Sequence, residues 1–283
     1  MSALQRVAVH VAVEAGGRLL VLDGALPWAL LAHGETPLAA GRRVLGPDLD
    51  LGELLAVHDG RRTDSEGEDG LDLHTVHLVL AGTLPEGSAP AAAQWIPVSD
   101  DRPLVADDLV VLDPAERVRL SPAVDSAPDG SVGSSPADVP VVRQRLACYA
   151  VVVADGSLLL TRLSTKTPSP GRWTLPGGGV DHGEHPLEAV VREVHEETGM
   201  AVRVTGLAEI GAEHFTGRSP RGVLEDFHAV RILVRAEPLE VLDPVVLDVG
   251  GSTDLARWVP LGEAEDIGLV GVAQRGLHIA LQG

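Results

Sequence analysis

Residues 178–200 read GGVDHGEHPLEAVVREVHEETGM, a stretch that contains a whole helix with both of its end signals. Pro186 suits a first helical position, where its missing N–H would have no partner anyway, and Gly199 suits the residue just past a helix end. Between them Leu187, Val190, Val191 and Val194 recur at i, i+3, i+4 and i+7, which predicts an apolar stripe packed on a sheet. Glu193, Glu196 and Glu197 stand at i, i+3 and i+4 on another face. Three carboxylates within about one turn repel one another by a few tenths of a kcal/mol per pair, so they call for a cation. Arg192 offers one from the adjoining face, but a hard divalent cation with oxygen ligands accounts for the cluster better. Just upstream, Gly177-Gly178-Gly179 carries no side chains, so its amides and carbonyls can approach a pyrophosphate or a metal closely. An acidic cluster ordinarily means a solvated face. Here the glycines, with Glu184 and Arg192 at fixed spacing, decide against that reading.

The stretch resembles the signature of the Nudix hydrolase (MutT-like) family, G-x5-E-x7-R-E-U-x-E-E-x-G-U, where U is a bulky apolar residue. Gly178, Glu184, Arg192, Glu193, Val194, Glu196, Glu197, Gly199 and Met200 fill every defined position. The resemblance implies that the Gly178 carbonyl, Glu193, Glu196 and Glu197 ligate Mg²⁺, for which Mn²⁺ can substitute. It implies that Glu184 and Arg192 hold the loop and helix; Gly177, Gly178 and Gly179, with Arg162 from the flank of the cleft, are the residues expected to meet the substrate. The reaction it implies is attack of water on a diphosphate bridge, in a nucleoside diphosphate linked to another moiety or in a nucleoside triphosphate. ADP-ribose, a nucleotide sugar, a dinucleoside polyphosphate and an oxidised nucleotide all fit. The water's proton goes to Glu197 or to a later carboxylate, Glu225, Asp248 or Asp254. Arg218 and Arg221 are further candidates to grip phosphate. The alternative is a sensor that binds a nucleotide metabolite on the same fold without turning it over.

The segment SPAVDSAPDGSVGSSPADVP, residues 121–140, is rich in Pro, Ser, Gly and Asp and reads as a linker. The expected organisation is a first domain at 1–120, a linker at 121–142 and a catalytic domain at 143–283. The halves repeat each other. Trp28-Ala29-Leu30 answers Trp173-Thr174-Leu175, and Trp95-Ile96-Pro97 answers Trp258-Val259-Pro260. His33-Gly34-Glu35 answers His182-Gly183-Glu184, and Asp72-Leu73-His74 answers Asp226-Phe227-His228. All four pairs fall in the same order. Each half opens with two apolar runs around a hairpin signal, Gly16-Gly17 or Asp155-Gly156. The coarse order β-β-α-β-β-α predicts two α/β (α+β) domains, each a mixed β-sheet sandwiched by helices. Aligned from Glu35, the first half has Arg43 for Arg192 but Val44, Pro47 and Asp48 for Glu193, Glu196 and Glu197, and four residues of the glycine loop read as absent. It is therefore expected to be a degenerate Nudix-like copy without the metal carboxylates, serving as an intramolecular pseudo-dimer partner; a homodimer is also compatible.

A net charge of -19 argues against general nucleic-acid binding and leaves a phosphorylated substrate to be held by metal ions and a few cations. No apolar run is long enough for a membrane span and no secretory leader is evident, so the expected setting is cytoplasmic. Cys148, the only cysteine, reads as a packed thiol in a strand. The tryptophans read as core or rim packing, and His33, His74, His182 and His228 as structural.

Overall fold

The computed structural model describes residues 2–64, 71–98, 140–218 and 222–282. Most of the expected linker, the closing helical segment expected in the first half, and Arg221 lie outside the described residues. The chain divides into two compact units, one holding Met1–Asp125, His182–His185 and Glu209–Glu213 and the other Ser126–Asp181, Pro186–Ala208 and His214–Gly283.

The first unit is built on β1 (Ser2–Ala15), β2 (Arg18–Val21), β3 (Trp28–Leu30), α1 (Pro37–Leu45), β4 (Asp50–Asp64), β5 (Leu71–Thr83) and β6 (Gln94–Pro97). Its sheet runs β4-β5-β1-β2-β6, with β3 also paired to β1. The strand β1 is buried on both faces at its middle, from Val7 to Val11, which is why its sequence is a near-continuous apolar run rather than an alternating one. The helix α1 begins at Pro37 behind Thr36, whose side chain accepts the Ala39 N–H at 3.2 Å. It ends at Leu45, before Gly46 at φ +101°.

The second unit is built on β7 (Val141–Ala154), β8 (Ser157–Leu163), β9 (Trp173–Thr174), β10 (Gly177–Gly179), α2 (Pro186–Thr198), β11 (Val202–Arg218), β12 (Leu224–Pro238) and β13 (Thr253–Pro260). A 3₁₀ segment (Leu261–Ile267) and α3 (Gly271–Leu281) close it. The sheet order is β11-β12-β7-β8-β13, with β10 on β7 and β9 on β8. It is mixed: β12 runs parallel to β7 from Glu225↔Val141 to Ala236↔Val152, while β8 returns antiparallel through Asp155-Gly156, both at positive φ as a tight hairpin turn requires. Both α2 and α3 pack on β7. Among the described residues no helix is long and apolar enough to cross a membrane.

The two sheets have the same strand order, and their registers agree in detail. Gln5 meets His74 across β1 and β5 at 3.1 Å, and Gln144 meets His228 across β7 and β12 at 2.9 Å. His10↔Trp28 and Ala8↔Leu30 in one sheet stand where Tyr149↔Gly177 and Ala147↔Gly179 stand in the other. The backbone bonds Val11 N to Pro27 O and Leu31 N to Val7 O repeat as Ala150 N to Pro176 O and Val180 N to Leu146 O.

This corrects one expectation. Trp28-Ala29-Leu30 occupies the place of the triple glycine, not that of Trp173-Thr174-Leu175, and no glycine-loop residue is missing. The shortened connection lies earlier: residues 22–27 join β2 to β3, where residues 164–176 lead from β8 to β10. A shared tryptophan next to an apolar residue had outweighed strand register, which only the pairing reveals. The sequence reading also missed the short strand that precedes each helix.

Candidate functional site

The helix α2 spans Pro186–Thr198, as its end signals predict, and Gly199 follows at φ +71° with its N–H bonded to the His195 carbonyl at 2.8 Å. Its inner face is rotated from the expected stripe. Ala189, Val190, Val194, Glu197 and Thr198 are buried, whereas Leu187 and Val191 are only partly so. Glu197 lies seven residues after Val190 and three after Val194, so the same face that packs on the sheet carries a carboxylate into the interior.

Gly177–Gly179 forms β10, antiparallel to Ala147-Cys148-Tyr149 of β7. Each of the first two glycines is needed for a different reason. At Gly177, with φ +143°, a side chain would run into the Cys148 carbonyl oxygen and the Tyr149 backbone. At Gly178 a Cβ would lie 2.6 Å from the Glu193 carboxyl carbon and 2.7 Å from both of its oxygens, so the Glu193 carboxylate fills the space a side chain would take. Cys148 is fully buried behind this strand, and burial pushes its thiol pKa well up, as a packed thiol requires.

Glu197 is 5% exposed. Its Oε2 accepts the Gly177 N–H at 3.0 Å; its Oε1 accepts the Thr253 hydroxyl at 2.5 Å and lies 3.5 Å from the Ser252 hydroxyl. Burial raises its pKa from the ordinary 4.5 to about 7 and the neighbouring Glu193 adds to the rise, against the lowering by its hydrogen-bond donors. Glu193 and Glu196 share the Arg192 guanidinium, whose Nη1 lies 2.8 Å from Glu193 Oε1 and 3.4 Å from Glu196 Oε2, while Nη2 reaches the Gly179 carbonyl at 3.3 Å. The three carboxylates do not each bring an oxygen within 4.8 Å of the other two, among the described residues. Glu184 is half-buried in the turn leading into α2.

The donor set suits a hard divalent cation. It is all oxygen, Glu193 sits in a cradle that only glycine leaves open, and a buried carboxylate held against its ionisation gains most from a positive charge.

The other candidates are placed as follows. Arg162 Nε bonds Asp254 Oδ1 at 2.7 Å, so the arginine's charge is already matched. Glu225 lies 3.7 Å from Arg143. Asp248 donates its backbone N–H to the Glu196 carbonyl at 3.0 Å, beside Leu247 at 2.9 Å, which fastens the loop before β13 to the end of α2. Arg218 donates to the Gly222 carbonyl at 2.8 Å. Of the tryptophans, Trp173 is buried with the Arg257 guanidinium 4.6 Å from its ring, and Trp258 donates to the Leu242 carbonyl. Ser252 and Thr253, the hydroxyls that hold Glu197, were not foreseen. Nothing in their spacing marks them, because they reach Glu197 from the start of β13 and the residue before it, more than fifty residues downstream.

The first unit pairs an arginine and a glutamate at matching positions, with Val44, Pro47 and Asp48 where Glu193, Glu196 and Glu197 stand. Arg43 bonds Glu35 through Nε at 3.1 Å and Nη2 at 3.0 Å, and its Nη2 donates to the Leu30 carbonyl, the counterpart of the Gly179 carbonyl that Arg192 meets. Glu35 also accepts the Ala32 N–H at 2.8 Å. In the place of Gly177 stands Trp28, stacked on His10 at 6.0 Å. His10 is in turn bonded to His77 at 2.8 Å, and burial first, then His77, lowers its pKa to about 4.

Comparison with known proteins gives the same place in the chain. Residues 143–276 match the family model of the NUDIX domain. An ADP-ribose pyrophosphatase of Methanocaldococcus jannaschii is 39% identical over 77 residues, 27% of this chain and 44% of that protein. An RNA pyrophosphohydrolase of Agrobacterium fabrum is 58% identical over 41 residues, 14% of this chain and 24% of that one. The chain thus spans less than half the length of either relative. The crystal structure of a MutT NUDIX hydrolase from Burkholderia pseudomallei aligns over 48% of this chain and 97% of its own, at 28% identity and a TM-score of 0.36.

Proposed function

We propose that the NUDIX domain at residues 143–276 hydrolyses a diphosphate bridge in a small nucleotide derivative, with Mg²⁺ held by Glu193, Glu196, Glu197 and the Gly178 carbonyl. The observation that carries this reading is the junction of buried Glu197 with the bare glycine strand through the Gly177 N–H. A divalent cation bound there would polarise phosphoryl oxygens and acidify the attacking water. The chain's own part is positional. β10 exposes backbone to the diphosphate, Thr253 and Ser252 fix the Glu197 carboxylate, and Arg192 draws Glu193 and Glu196 towards the Gly179 carbonyl. Water adds to one phosphorus and the bridging P–O bond breaks. Glu197 is our candidate acceptor for the water's proton, with Asp248 as the alternative, because Asp254 and Glu225 each lie beside an arginine.

We read the first half as a degenerate copy of the same fold. Its strand order, its matched registers and the retained Glu35–Arg43 pair support this; Val44, Pro47 and Asp48 leave it without chemistry.

The names of the relatives suggest the substrates to try: ADP-ribose, nucleoside triphosphates and RNA. The test is incubation of the full chain and its Glu197→Gln variant with Mg²⁺ and this panel, with products separated by chromatography. Cleavage at a diphosphate bridge that needs the metal and drops at least tenfold in the variant is expected. Tight binding of one compound without turnover would overturn hydrolysis in favour of a sensor.

A further inference from the structure

An open cavity of about 410 Å³ lies in the second unit between the loop after β8 and the loop before β13, with Ser164, Lys166, Val249, Gly250, Thr253 and Asp254 in its wall. Two links join it to the helix that carries the carboxylates. Thr253, one of its wall residues, is the hydroxyl that holds Glu197, and the loop that supplies Val249 and Gly250 is fastened to the Glu196 carbonyl by Leu247 and Asp248.

Lys166 is the only lysine in the chain. Its side chain is exposed and its Nζ donates to the Gly250 carbonyl, at a residue whose φ of +86° suits glycine and leaves no side chain between the amine and the cavity. Among the described residues Lys166 has no carboxylate partner. Arg162 differs, since Asp254 already matches its charge at 2.7 Å and is matched in return. The wall therefore presents one unneutralised positive head, in the same cavity as the Thr253 hydroxyl that holds Glu197, in a protein whose net charge is -19. A lysine ammonium is a compact, rotatable cation with three donors, which suits a phosphate oxygen.

We propose that Lys166 binds a phosphate group of the substrate's polyphosphate chain in this cavity. The assignment rests on reading α2 as a diphosphate-cleaving centre. It makes Lys166 a substrate-binding residue that supplies the local attraction the molecule's overall charge opposes.

The test uses the full chain with Mg²⁺ and inorganic pyrophosphate as the probe, followed by titration calorimetry on the parent, Lys166→Gln and Lys166→Arg, with thermal melts to show that each variant is folded. Lys166→Gln is expected to weaken pyrophosphate binding at least tenfold and Lys166→Arg less than threefold. A second readout uses the parent alone. Pyridoxal phosphate condenses with an amine to an imine and water, and borohydride reduces the imine, so peptide mapping distinguishes Lys166 from the terminal amine. Pyrophosphate should protect Lys166 from this labelling. Unchanged affinity in Lys166→Gln, absence of pyrophosphate binding by the parent, or labelling indifferent to pyrophosphate would each overturn the proposal. Neither readout needs turnover: binding through Lys166 without cleavage of any nucleotide would sink the hydrolase reading alone, whereas cleavage with an unchanged KM in Lys166→Gln would sink this proposal alone.

Discussion

Glu197 is a carboxylate that the fold makes uncomfortable, and its discomfort sets a pH dependence. Without metal its pKa is about 7 in the folded protein against an ordinary 4.5, so the folded state holds the proton more tightly than the unfolded chain. Stability from this group is then fully present below about pH 4.5 and is lost as pH rises towards 7. Glutamine imitates the protonated acid at every pH. In EDTA, the stability of Glu197→Gln relative to the parent should therefore grow by up to about 3 kcal/mol between pH 5 and pH 8. Urea denaturation at several pH values measures it, and a gap that does not move with pH would refute the assignment. A bound divalent cation favours the ionised carboxylate, so metal affinity should climb as pH rises to about 7, measurable by titration calorimetry. That three carboxylates share one stretch of helix was legible from i, i+3, i+4 spacing. That one of them is buried was not, because the hydroxyls of Ser252 and Thr253 that meet it approach from the distant start of β13 and the residue before it.

Two neighbouring glycines in β10 should respond differently to the same small change. Gly177→Ala drives a methyl into the Cys148 carbonyl and the Tyr149 backbone at a φ of +143°, where neither neighbour can yield, and should lower stability by about 2 kcal/mol or more. Gly178→Ala meets only the end of the Glu193 side chain, which can swing away. That variant should melt near the parent but bind Mg²⁺ at least tenfold more weakly, as calorimetry would show; an unchanged affinity would mean that Glu193 is not a ligand. The helix itself was legible to the residue at both ends from Pro186 and Gly199. Its inner face was not, because Leu187 and Val191 compete for the apolar stripe and only the approach of the sheet decides between them. The exchange of Trp28-Ala29-Leu30 for the triple glycine was hidden for a related reason: residue identity points to one alignment and strand register to another.

Over the whole chain, a net charge of -19 should slow the arrival of any polyanionic substrate. Raising ionic strength from about 10 mM to about 150 mM shortens the screening length from roughly 30 Å to roughly 8 Å. The expected result is a rise in kcat/KM for a nucleoside triphosphate over that range at constant free Mg²⁺, larger than for the less charged ADP-ribose; a fall would mean that local cations govern the encounter. Removing residues 1–120 tests the role expected for the first half as an intramolecular partner, which predicts a less soluble or less active fragment. A soluble fragment with full activity would overturn it. The shared strand order of the two units was legible because the paired motifs keep their order, whereas the linker expected between the halves falls almost wholly outside the described residues. The ring of Trp28, stacked on His10 where the other sheet has Gly177 beside Tyr149, also bears on history. On our reading of the first half as a disarmed copy, glutamates at positions 44, 47 and 48 would not restore a site, because α1 ends at Leu45 and the strand beside it presents an indole where the other unit has bare backbone. On that reading a ratchet has turned, held by bulk and by the early helix end as well as by charge, and single mutations at the helix do not lead back.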